Sequence, residues 1–251
     1  MALKKIDIIE EENKEMEVAS SVALSAEDFL MLQEMVDLGM LYGLSKSKTN
    51  PKMKDFIHST RGGIEIINLE ETIKLIKSAV VFLKEIIATN KKILFIGTTP
   101  ISKSAIYEIS EKLDQPYIVE RWIGGTLTNF KVISKRLEAF RKLILDKEKG
   151  ELEKYTKKEQ LMFDRQIQKM EKLFGGIKNM KDLPGALFIV SPQKHETAIR
   201  EAKHINIPVV AILSTNFDPT TVDYPIPAND KNIKSVAWLV NYFMSNLQTE
   251  S

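Results

Sequence analysis

Three short runs of unbroken apolar residues constrain this chain most: KILFIGTT at 92–99, ALFIVS at 186–191 and PVVAILS at 208–214. Each is strand-sized, and none alternates polar with apolar, so each predicts a strand buried on both faces. Between and around them lie helical patterns. Residues 102–113 (SKSAIYEISEKL) separate the first run from a short strand, PYIV at 116–119, and ETAIREAKHI at 196–205 separates the second from the third. Strands that alternate with helices of this length imply βαβ crossovers and a mainly parallel sheet covered by helices on both sides. Right-handed crossovers make that an α/β, Rossmann-like, doubly wound sandwich.

The flanking elements fit the same plan. SAEDFLMLQEMVDLG at 25–39 predicts a helix capped by Ser25, with Glu27 and Asp28 in its positive first turn, an apolar stripe of Leu32, Met35 and Val36, and Gly39 at its close. Residues 40–56 read as a polar loop with four lysines, and IEIINL as a strand. From Glu70 to Ala88 the residues Ile73, Ile76, Val80, Leu83 and Ile87 recur at spacings of three and four, which predicts an amphipathic helix. DYPIP at 223–227 reads as an edge strand, because proline cannot donate to a ladder. The last helix spans DKNIKSVAWLVNYFMSNL, with Asn229 or Asp230 placed to cap it.

The middle of the chain differs in kind. Ile133, Leu137, Phe140 and Ile144 are spaced 4, 3, 4, and Phe163, Ile167, Met170 and Phe174 repeat the pattern. Each set is one narrow seam, as an inserted antiparallel coiled-coil helical hairpin requires. Gly150 lies in the connector, and Thr156 with Glu159 predicts a capping box for the second helix. Off the seam the segment is charged: residues 131–182 hold fifteen basic and nine acidic residues, net +6. The expected organisation is an acidic, mobile extension at 1–24, an α/β body at 25–130 and 176–251, and the hairpin at 131–175.

Charge says something about partners. The whole chain of 251 residues is only +2, but residues 1–38 hold three lysines against ten acids, and the rest holds 33 basic and 24 acidic residues. A basic body behind an acidic head points to a polyanionic partner. With no cysteine, disulfides, thiolate metal sites and thiol nucleophiles are excluded, which suits a reducing cytoplasm. No apolar run approaches the roughly 20 residues of a membrane span.

Catalytic and cofactor chemistry finds little support. The turn after the first buried strand offers Thr98, Thr99 and Ser102 but neither a G-x-G-x-x-G nor a Walker lysine. These hydroxyls can hold a sugar phosphate or nucleotide at a helix N-terminus, which is the alternative reading of this chain; they serve equally as turn and cap residues. Asp218, Asp223 and Asp230 fall among turn prolines and caps. His58, His195 and His204 lack metal-ligand spacing, so no metal and no cofactor is expected.

The most distinctive stretch is RWIGGTLTNFKVISKR at 121–136. Gly124 and Gly125 allow a sharp elbow. Arg121 can fork onto a phosphate, and Trp122 offers either a flat face or a core ring. Thr128 and Asn129 are neutral donors for phosphate and 2′-hydroxyl groups, and Lys131, Lys135 and Arg136 add charge. With Lys46, Lys48, Lys52, Lys54 and Arg61 of the early basic segment, these are the expected RNA-binding residues.

This stretch closely resembles a signature of the bacterial small-subunit ribosomal protein two family. NPKM at 50–53, RGGIEIINL at 61–69, KILFIGT, FGGIKNMKDLPGALFIVSP from Phe174 and the long run from Arg200 to Val236 resemble the family in the same order. The resemblance spans about Phe29 to Leu247. It implies a non-catalytic, structural protein of the small ribosomal subunit in the cytoplasm, with a Rossmann-like domain and a protruding coiled-coil hairpin. It also implies rRNA contacts that bridge head and body, neighbouring ribosomal proteins as partners, and help in docking the messenger-binding ribosomal protein one. The chain departs from the family pattern in places. Leu41 and Leu44 stand where two histidines are expected, Thr49 where a tryptophan is, and Thr99 and Pro100 where a basic pair is. Contacts that belong to those family residues do not carry over, although Lys46 and Lys48 keep charge in the early loop.

Overall fold

The computed structural model describes residues 25–248. The elements, in chain order, are α1 (Ala26–Asp37), β1 (Tyr42–Ser45), β2 (Ile57–Arg61), β3 (Ile64–Ile67), α2 (Leu69–Ala88), β4 (Ile93–Ile96), α3 (Lys103–Lys112), β5 (Tyr117–Ile118), α4 (Phe130–Glu148), α5 (Lys157–Phe174), β6 (Ala186–Val190), α6 (Glu196–His204), β7 (Val209–Leu213), β8 (Tyr224–Pro227) and α7 (Ile233–Leu247). The acidic segment 1–24 lies outside the described residues.

The apolar runs become β4, β6 and β7, the three inner strands of a sheet ordered β5-β4-β6-β7-β8. All four pairings are parallel, and β8, with Pro225 and Pro227, takes an edge. Chain order reverses between β4 and β6, as in a doubly wound fold. The pleat divides each strand between two cores. Ile93, Phe95, Phe188, Val210 and Ile212 face one cluster, completed by α1, α2, α3 and α7. Leu94, Ile96, Leu187, Ile189 and Ala211 face the other, completed by α4, α6 and the end of α5. Each fully buried aliphatic or aromatic side chain contributes about 1.5–3 kcal/mol, so unbroken apolar strands are what a sheet covered on both faces requires.

Three local expectations need correction. Residues 40–56 are not simply a loop: β1 pairs with β3, and β3 with β2, to make a small antiparallel sheet. Its strands are four or five residues long with bulges, too short to show a period in sequence. In α1 the inward residues are Met31 and Met35, while Val36 is 44% exposed. The last helix is capped by Asn232, whose side chain accepts from the Lys234 N–H; Asn229 instead closes a turn onto the Lys231 N–H.

Helices α4 and α5 match the two seams, and the capping box forms, with the Glu159 carboxylate accepting from the Thr156 N–H and the Thr156 hydroxyl from the Glu159 N–H. The Lys147–Asp164 ion pair links them at 2.7 Å. Ile133, Leu137 and Phe140 of α4 are buried in the sheet's own apolar cluster, so the base of the pair is part of the domain core.

Candidate nucleic-acid interface

The elbow between β5 and α4 is built around one carboxylate from a distant element. Glu201, on α6, is 8% exposed. Its Oε1 accepts from the Trp122 indole N–H at 3.0 Å and the Gly125 N–H at 2.9 Å. Its Oε2 accepts from the Leu127 N–H at 3.0 Å and from the N–H and hydroxyl of Thr128, each at 3.3 Å. Gly125 adopts φ +86°, a left-handed conformation that other residues enter at a cost, and it lets successive N–H groups converge on the carboxylate. Burial pushes the Glu201 carboxyl up, but the bonds from Trp122, Gly125, Leu127 and Thr128 together outweigh it and hold the group below the usual carboxylate range. The carboxylate is therefore an ionised hub that satisfies donors which a tight turn would otherwise leave orphaned.

This changes two site assignments. Trp122 is 9% exposed, its ring sits in the apolar cluster and its N–H is taken. It has no open face for a base to stack on and serves the scaffold instead. The Thr128 side chain is exposed, but its hydroxyl proton is committed to Glu201, which leaves only acceptor capacity. Lys52 is also committed: its ammonium binds Asp218 Oδ2 at 2.7 Å and Thr220 Oγ1 at 3.2 Å. That bond, with those from Thr220, holds the Asp218 carboxyl below its usual range.

The remaining predicted residues fall into two groups. Arg121, Asn129, Lys131, Lys135 and Arg136 are exposed on the elbow and the first turns of α4. Lys46, Lys48, Lys54 and Arg61 are exposed on the small antiparallel sheet and its short 3-10 turns. There β3 brings distant cations together, since Ser45 and Arg61 both lie opposite Ile64 and the Lys46 N–H donates to the Gly63 carbonyl at 3.0 Å. Among the described residues, none of these eight cations lies within ion-pair distance of a carboxylate. The segment around Met53, which is fully buried, is anchored to the main sheet through bonds from the Asn50 N–H to the Thr215 carbonyl and from the Leu44 N–H to the Thr215 hydroxyl.

Sequence reasoning missed Glu201. One signal existed: it sits three residues after buried Ala198 and four before Ile205, on the apolar side of its helix, where an acid needs partners. It also missed Lys181, which lines a groove with Lys131 and Lys135 although its own neighbourhood in sequence gives no hint of it.

At the carboxyl ends of β4 and β6, the Thr99 and Ser102 hydroxyls bond each other at 2.9 Å, and the Thr98 N–H meets His195 Nε2 at 3.5 Å. Burial, with the Lys194 charge adding to it, pushes the His195 imidazole down to about 4, so it is neutral at pH 7. Asp218 accepts from the Thr220 N–H within a turn, and Asp223 accepts from the Val209 N–H, tying the start of β8 to the start of β7. Among the described residues there is no group of three His, Asp or Glu side chains able to hold a metal ion, and no helix is long and apolar enough to cross a membrane.

The family model described as ribosomal protein S2 matches residues 35–249. The small ribosomal subunit protein uS2 of Roseiflexus castenholzii is 43% identical over 211 residues, covering 84% of this chain and 80% of that protein. The protein of the same name from Coprothermobacter proteolyticus is 42% identical over 205 residues, with 82% and 76% covered. That of Corynebacterium kroppenstedtii is 43% identical over 218 residues, with 86% and 76% covered.

Proposed function

The chain belongs to the ribosomal protein S2 family, whose members are structural and not enzymes, and from that premise we propose that it is an rRNA-binding component of the small ribosomal subunit. Its place is that subunit, in the cytoplasm. The observation that supports RNA binding best is the elbow. A buried carboxylate fixes the backbone of residues 122–128, and beside that turn Arg121, Lys131, Lys135 and Arg136 form no ion pair among the described residues. Exposed cations carried on a fixed backbone suit a phosphate backbone, because each contact releases condensed counterions. The cations around Lys46 and Arg61 form a second contact.

In this reading residues 131–175 form a coiled-coil arm inserted in a body of 25–130 and 176–251. The two cation groups contact rRNA of the head and the body, and neighbouring proteins, including ribosomal protein one, dock beside them. The deciding experiment is sucrose-gradient sedimentation of the tagged protein from its own cells at low and high salt. Co-migration with small subunits, loosened by high salt, is the expected outcome. Migration only as free protein, with intact subunits elsewhere in the gradient, refutes the reading.

A further inference from the structure

A groove of about 490 Å³ runs between the start of α4 and the loop before β6. Its walls carry three ammonium groups, Lys131 and Lys135 from one side and Lys181 from the other. Phe130 and Leu183, the latter 43% exposed, supply apolar surface. Glu138 and Asp182 also line it, and among the described residues neither carboxylate forms an ion pair with any of the three lysines or with another cation. The groove therefore offers cations, apolar surface and free acceptors together.

We propose that this groove binds one unpaired RNA nucleotide whose base carries N–H donors, guanine above all. The inference rests on the RNA-binding reading and gives it a particular subsite. The lysines suit the phosphate, and Phe130 and Leu183 offer a surface for a splayed-out base. The carboxylates suit a base edge, since Asp and Glu accept hydrogen bonds and cannot donate them when ionised. The adjacent N1–H and N2–H₂ donors of guanine match such an acceptor together, whereas uracil offers a single N3–H flanked by two carbonyl oxygens that a carboxylate repels. An acidic peptide fits less well, because the same two carboxylates oppose it. A duplex buries its base edges and cannot present them to a groove of this size.

The test uses the full chain and fluorescence anisotropy with labelled single-stranded pentanucleotides UUGUU and UUUUU, and a duplex containing the first. The expected result is binding of UUGUU about 10-fold tighter than UUUUU, and tighter than the duplex at matched salt. Lys181→Ala weakens both single strands about 5-fold. Asp182→Asn combined with Glu138→Gln abolishes the guanine preference while leaving UUUUU binding equal or stronger, an outcome that simple loss of structure cannot produce. All three side chains are exposed, so the fold survives these changes. Equal binding of the two single strands, stronger binding of the duplex, or indifference to Lys181→Ala overturns the subsite. If the protein still co-sediments with small subunits in a salt-sensitive way, the subsite fails alone; if it does not, the broader reading falls with it.

Discussion

The indole N–H of Trp122 donates to Oε1 of Glu201 across 3.0 Å, joining two residues that lie 79 positions apart. That bond, with the N–H bonds of Gly125, Leu127 and Thr128 to the same carboxylate, makes α6 the template on which the elbow is shaped. Removing the carboxylate leaves several partly or fully buried donors without partners, at about 1–3 kcal/mol each before relaxation. Glu201→Ala should therefore destabilise the protein by about 3 kcal/mol or more in urea denaturation. Trp122→Phe keeps most of the ring and loses one bond, so its cost should be nearer 1–2 kcal/mol. Trp122→Ala, which also opens a cavity, should cost roughly 3–5 kcal/mol. A Glu201→Ala variant as stable as the parent would refute the hub.

Stability should depend on pH in two windows. The folded pKa of His195 is depressed to about 4 by burial and Lys194, below the ordinary 6.5. The unfolded chain therefore binds the proton first, and stability falls as pH drops from about 6.5 to 4. Glu201 is also depressed in the folded state, so its contribution is full above the ordinary carboxylate range and is lost as pH falls through its folded value. The urea midpoint measured from pH 7 to 3 should show both. His195→Gln should flatten the upper window, and Glu201→Gln the lower one. An unchanged upper slope in His195→Gln would show that other groups set it.

The return of the chain from α5 to the sheet depends on a close approach at Gly176. A Cβ there would press into the Tyr117 carbonyl oxygen and lie 2.6 Å from its ring. The backbone oxygen belongs to β5 and cannot swing aside as a side chain would. Gly176→Ala should destabilise by about 1–3 kcal/mol, read as a lower thermal or urea midpoint. Gly124, whose Cβ position is open, provides the control, and Gly124→Ala should be nearly neutral. Equal effects at the two positions would refute the packing argument.

Binding and stability should separate at the exposed cations. Arg121 and Lys135 make no ion pair among the described residues, so the double substitution to alanine should shift stability by no more than about 0.5 kcal/mol. It should weaken RNA binding and lower the slope of log affinity against log salt by about 1.5 for two lost phosphate contacts. Lys52→Ala should behave differently, because its ammonium already holds Asp218 and Thr220. Its effect on the salt slope should be smaller than that of either free cation.

What the sequence determined by itself were the strongest patterns that repeat within a few residues. Continuous apolar runs made β4, β6 and β7 inner strands, the 4, 3, 4 seams marked α4 and α5, and Thr156 with Glu159 announced a capping box. These are local signals, because burial and capping act over one turn or one pleat. Only the tertiary structure decided which polar groups are already committed. Trp122 reads as either a stacking face or a core ring until Glu201 arrives from α6, and Lys52 reads as a free cation until Asp218 arrives from the far end of β7. Lys181 joins Lys131 and Lys135 only once β6 has taken its place beside β4. The small sheet of β1, β2 and β3 was likewise hidden, since strands of four or five residues are stabilised by their partners rather than by their own pattern. Hydrogen bonds and ion pairs act over about 3 Å in space whatever the distance along the chain, so their partners become known only when the fold brings them together.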